Sequence, residues 1–270
     1  TGPLATATAW RWRLPYVLSS HGSDIPGHNP DRFRLEHALL KPAWRAVVRR
    51  ASSVICPSEW LGRLVRQNMP SAGPPVHVIP HGIDCARFDP TRPRRKRVLL
   101  VGRLLKQKGI HYLLHAASHL PSGWEVCIAG DGPYRPHLER LAAEVAPAAK
   151  FLGWIDSQDP RLVELYETSA IFAFPADKEA FGMALLEAMA AGCAVVTTDA
   201  SGCSEVVGDS GVIVPPHDAA ALGDALSGLA RDERRAESLG RRARARANRT
   251  YSWRAAAARY AELLQQAAGG

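Results

Sequence analysis

Short apolar runs alternate with longer amphipathic stretches along the whole chain. Residues 14–19 (LPYVLS), 54–56 and 76–79 read as buried strands, each running into a turn or loop. Between them, residues 31–50 and 59–67 have helical spacing; the first is interrupted near Pro42 and the second is capped by Ser58. A polar, basic segment twice punctuated by proline, residues 89–97 (DPTRPRRKR), separates this set from a second one. In the second set the predicted strands are residues 98–101, 124–129, 150–152, 171–175, 194–197 and 211–214. The predicted helices are 109–120, 134–145, 160–169, 182–191, 218–229 and 231–248. A last amphipathic helix, 252–267, places Trp253, Ala257, Tyr260 and Leu264 on one stripe and should pack through it. Such alternation predicts an α/β chain of two Rossmann-like parallel-sheet domains, whose ligands bind beyond the carboxyl ends of strands. The expected division is residues 1–90, a linker at 91–97, a second domain at 98–250 and the closing helix at 251–270. The opening TGPLATATAW shows no structural pattern, and the natural chain is expected to begin further upstream.

One stretch, residues 179–192 (EAFGMALLEAMAAG), combines local structure with chemistry. It follows the predicted strand at 171–175, and Gly192 stands where a helix stop belongs. Glu179 falls in the strand-to-helix loop, and Glu187 about a turn and a half into the helix. The helix is otherwise apolar or small, whereas a solvated face would carry several charges. Free amides and the positive end of a helix dipole beside two carboxylates suit a ligand that is both a phosphate ester and a polyol. A sugar nucleotide has both features.

Composition narrows the setting. The chain has 46% hydrophobic and 22% charged residues, ordinary for a soluble globular protein. Its cysteines, Cys56, Cys85, Cys127, Cys193 and Cys203, are odd in number and lack C-x-x-C spacing, which disfavours a disulfide framework or zinc site and fits a reducing cytoplasm. No apolar run reaches the length of a membrane span, and no signal peptide stands out. The net charge of +8 is uneven: residues 1–97 hold 16 Lys/Arg against 6 Asp/Glu. Arg32, Arg34, Arg45, Arg49 and Arg50 concentrate it on the outward positions of one helix, which could lean on an anionic membrane. Nucleic acid ranks last, because interleaved aromatics and nucleic-acid motifs are missing.

Gly102-Arg103-Leu104 with Lys108-Gly109 follows the first strand of the second domain, bringing two cations to a helix start as a cradle for pyrophosphate. It is neither G-x-G-x-x-G nor G-x-x-x-x-G-K-[ST], so dinucleotide-dehydrogenase and P-loop readings lose support. His21-Gly22 reads equally well as a structural turn or a site, and His81-Gly82 and Gly130-Asp131 read as turn chemistry first and ligand contacts second. The order GRLLKQKG, GDGP, FLGWI, FPADKEAFGMALLEAMAAG and VIVPP resembles the donor-binding domain of the retaining glycosyltransferases of family 4 (glycosyl transferases group 1). The resemblance runs from HGSD to the final helix. It implies the GT-B fold, with an incomplete first domain here and a final helix that returns to it.

The resemblance also implies roles. Arg103 and Lys108, beside Gly102, would neutralise the donor pyrophosphate, and Glu187 would accept two ribose hydroxyls. Glu179, with the backbone of Ala180, Phe181 and Gly182 and the start of the helix at Met183, would hold the transferred sugar and distal phosphate. His21 would approach that sugar from the first domain. The implied reaction is metal-independent, retaining transfer from a UDP- or GDP-type nucleotide sugar to a saccharide, lipid-linked or small-molecule hydroxyl acceptor, with no cofactor. No D-x-D sequence occurs, so metal-chelated donor geometry is not expected. The rival expectations are a donor-binding fragment without transfer activity and a GT-B phosphorylase or epimerase. The setting would be cytoplasmic, extending to the inner face of the membrane.

Overall fold

The structure, a computed structural model, describes residues 2–12, 14–26, 28 and 30–269. It divides into two compact units, Thr1–Gly82 with Trp253–Gly270, and Ile83–Ser252.

The first unit begins with helix α1 (Gly2–Trp12), in the segment where the sequence shows no pattern. Packing explains the difference: α1 lies on helix α2 (Pro30–Arg50), and tertiary contact overrides the weak helix preference of its threonines. Helix α2 runs through Pro42. The side chains of Arg32 and Arg34 lie outside the described residues. Strands β1 (Val17–Ser19), β2 (Ser53–Cys56) and β3 (Val76–Val78) form a parallel sheet in that order. Helix α3 (Glu59–Asn68) joins β2 to β3, and Ser58 caps it by accepting from Leu61 N at 3.2 Å.

The second unit carries a six-stranded parallel sheet. Its strands are β4 (Arg95–Val101), β5 (Glu125–Ala129), β6 (Lys150–Gly153), β7 (Ser169–Phe174), β8 (Ala194–Thr198) and β9 (Val212–Val214), in the order β6-β5-β4-β7-β8-β9. The helices are α4 (Ile110–Ala116), α5 (Arg135–Val145), α6 (Pro160–Thr168), α7 (Met183–Ala191), α8 (Cys203–Val207), α9 (Ala219–Arg231) and α10 (Glu233–Thr250). Alternate strand residues face opposite ways, as the two-residue period requires. Leu99, Cys127, Phe172 and Val195 share a core with Leu162, Tyr166, Leu185, Met189 and Ala243 from α6, α7 and α10. Leu100, Ile128, Ile171 and Val196 share the other with Leu113, Leu138, Leu222 and Leu226 from α4, α5 and α9. Strands buried on both faces account for the near-continuous apolar runs in the sequence.

Two details differ from the sequence expectation. The passage between units falls at Gly82–Ile83, and the segment read as a linker is built into the second unit. Phe88 is buried there, and the Arg94 guanidinium donates to the carbonyls of Tyr166 at 3.0 Å, Ser169 at 3.1 Å and Ala191 at 2.5 Å. Proline and charge mark a linker only when the arginines find no partners in a domain; here Arg94 has these carbonyls, Arg92 pairs with Glu167 at 3.1 Å and Arg97 with Glu125 at 2.7 Å. The other difference concerns helix α11 (Trp253–Gly269), which belongs to the first unit. It buries Ala256 and Leu263, with Tyr260 half-buried, whereas Trp253 and Leu264 are exposed. Leu263 packs with Ile55 and Ile79, and Arg259 donates to the Val78 carbonyl at 2.8 Å. That bond, with the small Ala256 at the contact, rotates the helix one position away from the stripe defined by its bulkiest residues.

Candidate functional site

Strands β4 and β7 are central neighbours, so the loops at their carboxyl ends lie side by side. The β4 loop holds Gly102, Arg103 and, in a short 3₁₀ turn (Lys106–Lys108) ahead of α4, Lys108. The β7 loop holds Glu179, Ala180, Phe181 and Gly182 and leads into α7. Asp177 N donates to the Gln107 carbonyl at 2.9 Å, stitching the two loops together. A third loop, Gly130-Asp131-Gly132 after β5, supports the first: Gly102 N donates to Ala129 O at 3.0 Å, Leu104 N to Asp131 O at 2.9 Å and Tyr134 N to Leu104 O at 3.0 Å.

This arrangement brings Lys108 and Glu179, 71 residues apart, into a direct ion pair. Both side chains are largely shielded from solvent, 14% and 21% exposed, so the pair is more than a surface contact. The Lys108 ammonium also lies 5.4 Å from the centre of the Phe174 ring. The other Glu179 oxygen accepts from Ala180 N at 3.1 Å, and its backbone carbonyl accepts from Gly202 N at 2.9 Å. Residues 201–205, which follow β8, therefore brace the motif from a third strand end. Arg103 is exposed; its carbonyl accepts from Leu105 N at 2.9 Å, and its guanidinium makes no hydrogen bond or ion pair among the described residues.

Gly182 adopts a left-handed conformation, φ 90°, as the N-cap of α7, and an added Cβ would stand 2.8 Å from Cys203 Sγ. Among the described residues no side chain caps that end of α7, which leaves its first-turn amides and positive dipole open to an anion. Met183, the first residue of the helix, is 37% exposed. Phe181 is buried with its ring edge-on to Tyr251 at 5.7 Å, so its side chain serves the core.

Glu187 sits on the same helix with Oε2 accepting from Tyr166 OH at 2.9 Å. Burial raises its carboxyl above the ordinary glutamate value, opposed by the Tyr166 hydrogen bond and the charge of Arg87. Tyr166 and Arg87 are the parts of this site that sequence reading missed. Neither belongs to a motif, and only the packing of α6 and of the short turn Cys85–Arg87 against α7 brings them in.

His21 lies in the first unit. Its backbone N and that of Gly22 donate to Asp24 Oδ1 at 3.1 and 3.0 Å, so HGSD is a side-chain-closed turn. The His21 ring is exposed and stacks on His81, with centroids 5.4 Å apart and planes at 11°. The two His-Gly loops thus meet at the carboxyl ends of β1 and β3. Burial, followed by the charge of His21, lowers the His81 pKa. Among the described residues, no group of three or more His, Cys, Asp or Glu could hold a metal ion.

Two parallel-sheet α/β units with these loops define a GT-B type fold. The sequence profile of glycosyl transferases group 1 matches residues 86–246, and that of glycosyltransferase family 4 matches residues 1–87. The chain belongs to the group 1 glycosyltransferases. It is 28% identical to the sulfoquinovosyl transferase SQD2 of Arabidopsis thaliana over 93% of this chain and 52% of that protein. It is 30% identical to a glycogen synthase of Mycobacterium tuberculosis over 98% of this chain and 66% of that one. The chain therefore spans about half to two thirds of the length of these curated relatives. A solved structure of Anabaena HepE in complex with UDP and glucose superposes with a TM-score of 0.85 at 22% identity, covering 98% of this chain and 75% of that chain.

Proposed function

We propose that the second unit binds a nucleotide-diphospho-sugar at the ends of β4, β7 and β8, and that the chain serves metal-independent, retaining transfer of its sugar to a hydroxyl acceptor. The observation that carries this reading is the Lys108–Glu179 pair beside the uncapped end of α7. Displacing a nucleoside diphosphate needs positive charge at the leaving phosphates and a polar grip on the sugar. Lys108 supplies the first and Glu179 the second, from positions already in contact. Arg103, unpartnered among the described residues, adds a second cation, and the α7 amides add dipole. Together they take the electrostatic part that a bound divalent ion plays in other transferases. Glu187 is the proposed acceptor of the ribose hydroxyls. For His21, the family resemblance supports a part in transfer rather than in donor binding.

UDP or GDP is the proposed leaving group; UDP-glucose is bound by the solved neighbour HepE, and GDP-mannose is named for related mannosyltransferases. Incubation with UDP- and GDP-sugars and a panel of saccharide and lipid acceptors, in chelator, should yield product of unchanged anomeric configuration. Inverted product would contradict the retaining mechanism, and loss of all turnover in chelator would contradict metal independence. Nucleotide binding without transfer would assign the chain as a donor-binding portion only.

The five cysteines are free and buried, which supports a cytoplasmic setting. Among the described residues no helix is long and apolar enough to cross a membrane. A specific observation supports peripheral contact instead. Helix α2 exposes Leu35, Leu39 and Leu40 with Arg45, Arg49 and Arg50, and Leu4, Trp12 and Leu14 are exposed in the same unit. Apolar side chains beside cations suit the surface of an anionic bilayer. Co-sedimentation with phosphatidylglycerol vesicles is expected at low salt and should fade as salt rises; equal recovery with neutral vesicles would remove the membrane as a partner.

A further inference from the structure

Tyr166 is 1% exposed, and its ring is held by Phe88 at 6.0 Å and Phe172 at 5.8 Å. Phenylalanine would fill that space without burying a hydroxyl, which needs a partner to be tolerated. The hydroxyl has one, Glu187 Oε2 at 2.9 Å. No partner is recorded for Glu187 Oε1 among the described residues, and the side chain is only half-buried. A carboxylate oxygen accepts more than one hydrogen bond, so the pair of oxygens still has room for two vicinal hydroxyls.

Beneath this pair lies a frame of two arginines. Arg94 joins the last turn of α6, at the Tyr166 carbonyl, to the last turn of α7, at the Ala191 carbonyl. Arg244 donates to the Ala190 carbonyl and, at 3.1 Å each, to those of Phe88 and Cys85, which flank Arg87. The helix bearing Glu187, the helix bearing Tyr166 and the turn bearing Arg87 are therefore tied at the ends away from the ligand loops. An i→i−4 helical ladder leaves the carbonyls of Tyr166, Ala190 and Ala191 unpaired at the ends of these helices, and the guanidinium forks satisfy them.

We propose that Tyr166 is a positioning residue that sets the rotamer of Glu187 for a ribose diol, and that Arg94 braces it. The proposal rests on the reading of Glu187 as the ribose acceptor. Its signature is loss of discrimination for the sugar hydroxyls, since a general structural defect would weaken ribo- and deoxyribonucleotides alike.

The test is calorimetric titration of the full chain and its variants with UDP, GDP and their 2′-deoxy counterparts. The parent should prefer a ribonucleotide, and Glu187→Ala should abolish the preference. Tyr166→Phe should reduce it about tenfold while changing deoxynucleotide affinity by less than about twofold. Adding Tyr166→Phe to Glu187→Ala should change nothing further. Thermal melting of Tyr166→Phe checks that the ring packing survives. If Glu187→Ala abolishes the preference and Tyr166→Phe keeps it whole, Tyr166 has no positioning role although the ribose reading stands. If the parent binds no nucleotide, or shows no preference for ribose, the ribose reading fails and takes this proposal with it. Arg94→Lys, which keeps the charge but not the fork, should share the selectivity loss of Tyr166→Phe; full retention would remove Arg94 as the brace.

Discussion

Replacing Glu187 by alanine is expected to weaken nucleoside-diphosphate binding by about 1.5–3 kcal/mol, the worth of charge-assisted hydrogen bonds made in a shielded place. The carboxylate is held against Tyr166 on a helix whose other residues are largely buried, so water competes poorly for it. Glu187→Gln should recover only part of the loss, because it keeps the shape without the charge. The same assignment sets a pH dependence. Burial raises the Glu187 pKa, and the acceptor form is the ionised one. Binding should be full at neutral pH and fade as pH falls through that raised value, at a higher pH than an ordinary glutamate would give. Stability should respond far less to Glu187→Ala. Removing a half-buried charge offsets the Tyr166 hydroxyl left without its acceptor. A calorimetric affinity for Glu187→Ala equal to that of the parent would remove this residue from the site.

Gly130→Ala is expected to destabilise the second unit by about 3 kcal/mol and to lower nucleotide affinity with it. Gly130 has φ 141°, and a Cβ added there would lie 1.9 Å from the Gly102 carbonyl oxygen. Backbone cannot yield as a flexible side chain can, so one of the two loops must move. The one it meets carries Arg103 and Lys108. A drop in the urea midpoint together with weaker binding is the expected pair of results. Parent-like stability would show that the GDGP turn and the GRL loop do not meet as described.

Much of this was legible in the sequence for local reasons. The end of α7 was readable because Gly192, with φ 82°, is the residue type a helix stop favours. The start of α3 was readable because Ser58 is the right cap in the right place. The inner strands of the second unit, β4, β5, β7 and β8, were readable because both their faces are buried. What escaped depends on contacts distant in sequence. Helix α1 has weak intrinsic signals and forms against α2. The rotation of α11 is set by Arg259 on Val78 and Leu263 on Ile55, which no periodicity in residues 252–267 encodes. The segment at residues 89–97 looked like a linker because its arginines gave no hint of the carbonyls and carboxylates they would find.

The site divides the same way. The motif at residues 179–187 and the cations at 103 and 108 could be named from their loops. Their pairing could not, since Lys108 meets Glu179 only because β4 and β7 are neighbours in the sheet. Nor could Tyr166, which belongs to an unremarkable amphipathic helix until that helix packs on α7.

The central claim, a nucleoside-diphosphate site at the ends of β4 and β7, is tested most directly by titrating the full chain with UDP, GDP and ADP in a chelating buffer. Binding by at least one of them is expected, weakened about tenfold or more by Lys108→Ala and also weakened by Arg103→Ala. Absence of binding by all three, or unchanged affinity in both variants, would contradict it.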